Sequence, residues 1–214
     1  MNNYILSSII LSYSLLITAF LYGVSNEVIR NNEFKKWHII YLGFILGIES
    51  MSIFSIYVLE SKTTQYLYPI YVTGEFLILM SLCLTEFKAT KMWKLVTGIV
   101  ASFIFIETTI LWFVHQDAST GYAKIISHLI IICLLAILLV KNMREVERSK
   151  QSWFIFGALF LYYSVSLFLF LLINQLTEHS INLWIINNIL SSILYGSFIY
   201  TFYSFKKWKS RSYI

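Results

Sequence analysis

Apolar residues run almost without interruption through seven stretches of this chain, and polar residues collect in the short connections between them. The stretches are residues 4–23, 37–59, 67–86, 95–114, 122–140, 153–173 and 183–204. Each is a continuous run rather than the period-two alternation of a barrel strand. About 20 apolar residues cross a bilayer as a helix, and a helix satisfies its own backbone polar groups where no water is present. The pattern therefore predicts an all-α membrane protein, a bundle of seven transmembrane helices forming a single domain over residues 1–214. Pro69 falls in the first turn of the third stretch, where its missing N–H is harmless. Gly43 and Gly47 form a G-x-x-x-G spacing in the second stretch. That spacing allows another helix to approach closely, and packing within the bundle is the simpler use.

Composition sharpens this picture. Only 13% of the residues are charged and 58% are apolar, whereas about a quarter of a soluble domain is charged. The residues between the spans are too few to fold as a separate soluble domain. Of 16 Lys and Arg residues, all but Lys62 and Lys124 fall on one side of the predicted bundle. They are Arg30, Lys35 and Lys36 in the first connection, Lys88, Lys91 and Lys94 in the third, and Lys141, Arg144, Arg148 and Lys150 in the fifth. Lys206, Lys207, Lys209 and Arg211 follow the last span. Positive residues stay cytoplasmic, so the N-terminus is expected outside and the C-terminus in the cytoplasm. The net charge of +5 then reads as contact with membrane lipids rather than with nucleic acid. Trp37, Trp93, Trp153 and Trp208 fall at the inner boundary and Trp112 and Trp184 at the outer one, as an aromatic belt does. Cys83 and Cys133 lie inside spans and read as buried small apolar residues. The N-terminus MNNY has no basic stretch, so the first span is expected to be retained. The connection KNMREVERSKQS mixes both charge signs and reads as a solvated turn or a docking surface.

Against this apolar background three spans carry a glutamate in their interior: Glu49, Glu75 and Glu107. A carboxylate in hydrocarbon is costly and normally faces a bundle interior or an aqueous cavity. Counted from the outer end of each span, these residues and His128 lie roughly 9–15 Å deep at 1.5 Å per residue. Ser12, Ser14, Ser164, Ser166, Ser191 and Ser192 come to matching depth, with Asn187 and Asn188 slightly above. Tyr71 precedes Glu75 by four residues, and Lys124 precedes His128 by four, so each pair shares a helix face. Compact packing would bring the two bases towards the carboxylates. The ligand-binding or proton-relay candidates are therefore Glu49, Glu75, Glu107, His128, Tyr71, Lys124, Asn187 and Asn188. The competing reading is an interhelical hydrogen-bond network with no ligand, a common use of polar residues in bundles.

Several chemistries find no support. The last span has no lysine for a retinal, and His38, His115, His128 and His179 are dispersed rather than clustered as a zinc hydrolase requires. No protease motif or PQ-loop occurs, and no cofactor is expected. Glu49, Glu75, Glu107 and His128 form a conceivable oxygen-rich set for a divalent cation, although no spacing motif supports a metal site. Three functions remain: a sensor or binding protein for a small polar or cationic ligand, acting through a separate membrane signalling partner such as a kinase; a transporter or proton-coupled carrier; and an intramembrane lipid hydrolase with a Glu acid/base. The first is the preferred expectation. The carrier reading lacks Gly/Pro-broken helix pairs, and the hydrolase lacks a nucleophile or metal.

Residues 67–88 (LYPIYVTGEFLILMSLCLTEFK), residues 153–174 with Tyr162-Tyr163-Ser164 at their centre, and LWIINNILSSILYGSFIY near the end carry a resemblance. They resemble a broad group of small seven-helix proteins common in Bacteroidota, whose activity is unassigned. The resemblance implies a seven-span inner-membrane protein and no particular catalytic residue. On the pocket reading, Glu75→Gln abolishes ligand binding and leaves membrane insertion intact. Loss of folding in that variant, followed by its elution profile in detergent, would favour the structural network.

Overall fold

The apolar runs become long helices, and their ends are set by polar and left-handed residues. The computed structural model describes residues 3–144, 150–173 and 180–211. The expectations for Arg148 and His179 lie outside those residues, and those for Arg144, Lys150, Trp208, Lys209 and Arg211 lie outside the described side chains. The helices are α1 (Asn3–Ser25), α2 (Glu27–Arg30), α3 (Glu33–Tyr57), α4 (Tyr68–Phe87), α5 (Lys91–His115), α6 (Ala123–Arg144), α7 (Lys150–Ile173) and α8 (Ser180–Arg211). Seven of them, all but α2, are long and apolar enough to cross a membrane. No strand occurs among the described residues.

The short α2 was not expected; Asn26 nucleates it by accepting a hydrogen bond from the Val28 amide at 3.2 Å. α3 stops at Tyr57, two residues short of the predicted 59, and Glu60 follows in the left-handed region at φ 49°. Lys88 (φ 52°) and Gln116 (φ 56°) end α4 and α5 in the same way, as left-handed C-caps built without glycine.

The chain forms two compact units, residues 1–39 with 132–214 and residues 40–131, with boundaries inside α3 and α6. In the first unit α8 is the central element, packed against α1, α2 and α7. Asn188 donates from Nδ2 to Ser8 Oγ at 3.1 Å, joining α8 to α1. Gly23 lets α1 meet the Phe202 ring, to which a Cβ at that position would lie 3.0 Å away. His38 is fully buried with its ring edge-on to Phe198 at 5.5 Å. Lys35 corrects an expectation: it lies not in the first connection but in α3, and is 3% exposed, with Nζ 5.6 Å from the centre of the Phe205 ring. A lysine stem buries readily along apolar surface, and the ring face favours its charge.

In the second unit α4 packs on α5, with 3-10 turns at Gln65–Leu67 and Ala118–Thr120 touching each other at one end. Phe44 of α3 lies directly on the backbone of Gly74, where any Cβ would strike its ring. Close helix approach thus occurs at Gly74. Of the expected pair, Gly47 is exposed with open space around it, while Gly43 is half-buried. Cys133 is likewise exposed rather than buried, since Ile131, Leu135 and Leu138 define the inward face of α6.

Outward faces are apolar. On α5 alone Leu95, Ile99, Phe103, Ile106, Ile110 and Phe113 are exposed, a surface suited to lipid tails and not to water. Trp93, Trp153 and Trp184 are exposed as well. This is a multi-pass helical membrane protein by length, composition and surface. Gly74→Val should lower stability by about 1–3 kcal/mol through overpacking against Phe44, read as a lower melting temperature in detergent. Adding Phe44→Ala should restore most of the loss.

Candidate functional site

The polar end of the second unit is built from local hydrogen bonds. Ser61 Oγ donates to the Thr63 carbonyl at 2.8 Å, and Thr63 Oγ1 accepts from the Gln65 amide at 3.2 Å. These bonds turn the chain out of α3 and into the 3-10 turn Gln65–Leu67, after which Pro69 starts α4 with its fixed φ. A hydrogen bond between Ser55 and Tyr66 ties the end of α3 to this turn. Between them lies a pocket of about 160 Å³ lined by Ile48 and Ser52 of α3 and by Thr64, Gln65, Leu67, Tyr68 and Tyr71. The Tyr68 and Tyr71 rings stand 6.4 Å apart and tilted by 60°.

Two side-chain oxygens of pocket residues, Gln65 Oε1 and Tyr68 Oη, are buried without a hydrogen-bond partner among the described residues. Such atoms are rare in folded chains and mark either a functional group or a place for an outside partner. Glu75, Asp117 and Glu107 all lie within electrostatic range of the Tyr68 hydroxyl. Tyr68, Tyr71 and Glu75 share one face of α4 by their spacing of three and seven residues.

Each carboxylate is held differently. Asp117 accepts from the Ser119 amide at 2.9 Å and from Ser119 Oγ at 2.6 Å, closing the 3-10 turn Ala118–Thr120. That turn packs against α5, α4 and the other 3-10 turn. The chain then passes close over Glu107: a Cβ on Gly121 would lie 3.0 Å from Glu107 Oε1 and would strike Leu111. Glu107 Oε1 accepts from the Tyr122 amide at 2.9 Å. The Tyr122 carbonyl accepts the first helical bond of α6 from Ile126, so Glu107 caps the start of α6 from a neighbouring helix. Its second oxygen, Oε2, is buried with no partner among the described residues.

Glu75 is 2% exposed and lies within electrostatic range of Lys124 of α6. His128, 1% exposed, follows one turn later, its Nδ1 3.3 Å from Ser127 Oγ, which itself donates to the Lys124 carbonyl at 2.9 Å. Of the two bases expected beside the carboxylates, Lys124 comes within electrostatic range of Glu75, and His128 stands one turn beyond Lys124 on α6. Glu49 is half-buried on α3, one residue from the pocket-lining Ile48. Asn187 and Asn188 belong to the first unit, where Asn188 joins two helices; its Ser192 neighbour donates back to the Asn188 carbonyl at 2.8 Å. That is the structural role weighed against ligand binding. Glu49, Glu75, Glu107 and His128 do not form a metal set: among the described residues no three His, Cys, Asp or Glu side chains are placed to hold an ion.

Gln65, Tyr68 and Asp117 are not among the candidates the sequence singles out. Asp117-Ala-Ser119 is a readable capping turn, but its approach to Tyr68 depends on how the connection folds back on α5. No protein-family model, curated protein or solved structure matches this chain. Glu107→Ala should cost about 1–2 kcal/mol by uncapping α6, with faster hydrogen exchange at the Tyr122 amide. Glu107→Gln, which keeps an accepting oxygen, should retain most of that protection.

Proposed function

We propose that this protein is an inner-membrane binding protein or sensor whose Tyr68 pocket takes a small polar or cationic ligand from outside the cell. The observation that carries this reading is the pocket of about 160 Å³ itself, whose lining combines the polar residues Ser52, Thr64, Gln65, Tyr68 and Tyr71 with Ile48 and Leu67. Ligand sites are concave and largely apolar with a few polar groups that fix orientation. The distribution of basic residues supports an N-terminus outside and a C-terminus in the cytoplasm, which turns the pocket end outward. The same orientation places the basic connections against anionic lipid and within reach of a separate membrane signalling partner. Membership of the Bacteroidota seven-helix group belongs to the same proposal.

A carrier is the second reading, favoured by Lys124 lying within electrostatic range of Glu75 with His128 one turn further along α6. Intramembrane carboxylates beside bases are the usual parts of a proton relay. In proteoliposomes a carrier would move protons or solute and lose that flux in Glu75→Gln, whereas a binding protein shows saturable binding without flux.

The pocket's access is tested with single cysteines in a Cys83→Ala, Cys133→Ala background. Ser52→Cys should react with a membrane-impermeant thiol reagent on intact cells. Met92→Cys, exposed at the opposite end of α5, should react only after permeabilisation. A folded Ser52→Cys protein that labels only after denaturation, or a reversed pattern, would refute the outward pocket.

A further inference from the structure

Resting on the binding reading above, we infer that the Tyr68 pocket takes the uncharged, glycerol-sized head of a single-chain lipid whose tail stays in the outer leaflet. The pocket straddles the level at which a bilayer turns from polar to apolar. Thr64 and Gln65 line it just before α4, and Tyr68 and Tyr71 line it from the first turn of α4. On the α3 wall, Ser52 and Ile48 stand five and nine residues before the helix ends at Tyr57, about 8 and 14 Å into the span at 1.5 Å per residue. Tyrosines favour this level, with the ring in apolar surroundings and the hydroxyl near water. The lining thus offers hydroxyl and amide side chains at the helix ends and apolar Ile48 deepest along α3. A molecule polar at one end and apolar at the other matches it.

Lipid borders the same wall. Helical spacing sets Met51 beside Ile48 and Ile56 beside Ser52, and these two neighbours are 53% and 50% exposed. Phe54, Val58 and Leu59 are exposed around the same end of α3, a surface suited to lipid tails. A lipid that docks here keeps its chain among these side chains, and only its head changes surroundings. The head is then chosen by charge and size. All seven lining residues are uncharged. A charged head would enter a lining without a counter-charge, at heavy cost, whereas a hydroxyl exchanges one hydrogen bond for another. Ser52 and Thr64 supply hydroxyls, which donate and accept alike. A cavity of about 150 Å³ holds benzene, so the pocket's volume of about 160 Å³ suits a head of about six non-hydrogen atoms, the size of glycerol.

The test is protection of Ser52→Cys, in the Cys83→Ala, Cys133→Ala background, from a water-soluble thiol reagent. The full-length protein is held in lipid nanodiscs that contain monooleoylglycerol, oleoyl lysophosphatidate or oleylamine, or that are bathed in free glycerol. Monooleoylglycerol should slow labelling, with half-protection at a mole fraction about tenfold lower than either charged lipid requires. Glycerol, which has the head without the chain, should give no protection at the same concentration. Lys62→Cys, exposed in the connection between α3 and α4, should label at one rate throughout, which separates occupancy of the pocket from a change in the bilayer. Ile48→Phe fills the apolar floor and should erase the advantage of monooleoylglycerol while labelling persists. Thr64→Val, which keeps the shape and removes a hydroxyl, should weaken protection and serves if Ile48→Phe does not fold. Equal protection by the three lipids, stronger protection by a charged lipid or by glycerol, matching protection of Lys62→Cys, or no protection at all would each overturn the inference. A cysteine at position 52 that labels but is never protected refutes the lipid ligand and leaves the binding reading standing. A folded protein that does not label there refutes both.

Discussion

A polar group inside an apolar medium must find its partner within the protein, and this requirement organises the whole chain. Most hydroxyls meet it locally. Ser50, Ser81, Thr85, Thr97, Ser102 and Thr108 each donate to the carbonyl four residues earlier on their own helix, at 2.7–2.9 Å. Those residues therefore sit inside membrane-length helices without recruiting a neighbour. Asn188 solves the same problem between helices through Ser8, and Glu107 solves it by capping α6. Buried oxygens without a partner among the described residues remain on Gln65, Tyr68, Thr73, Glu107, Thr109 and Thr201, and so occur in both units. The pocket beside Tyr68, rather than the number of glutamates, is what marks the site.

Helix existence was legible because each apolar run is far longer than any alternative element could use, and because Pro69 sits where a helix begins. Ends were less legible. Glu60, Lys88 and Gln116 terminate helices with positive φ and carry none of the glycine signal that announces a C-cap. Residue environment was least legible where it depends on another element. Lys35 reads as part of a connection until α3 and α8 bury it beside Phe205, and Cys133 reads as core until its angular place on α6 is known. Gly47 has the spacing for close packing, yet Gly74, in no motif, is where a ring meets backbone.

The candidate site was legible in part, and for the same reason. Glu75 announces itself as a carboxylate in hydrocarbon, and Lys124 with His128 announce a basic face one turn apart. That Lys124 comes within electrostatic range of Glu75 depends on how the helices are arranged, which spacing along one helix does not determine. Tyr68 and Gln65 carry no such signal in the sequence. They become the centre of the site because the Ser55–Tyr66 bond and the Thr63 turn fold this connection against α3, enclosing a pocket. A guest touching Tyr68 would act on the first turn of α4, and Glu75 lies two turns further along the same face opposite Lys124. Binding and any response would then share one rigid helix.

The central claim is that water reaches Tyr68 and Tyr71 while other intramembrane tyrosines stay dry. Hydroxyl-radical footprinting of the protein in liposomes, read residue by residue by mass spectrometry, tests it directly. The account predicts that Tyr68 and Tyr71 are oxidised well above Tyr41 and Tyr163, which are 1% and 0% exposed. Protection of Tyr68 and Tyr71 to the level of Tyr41 and Tyr163 would contradict it and leave a packed structural network in place of a binding site.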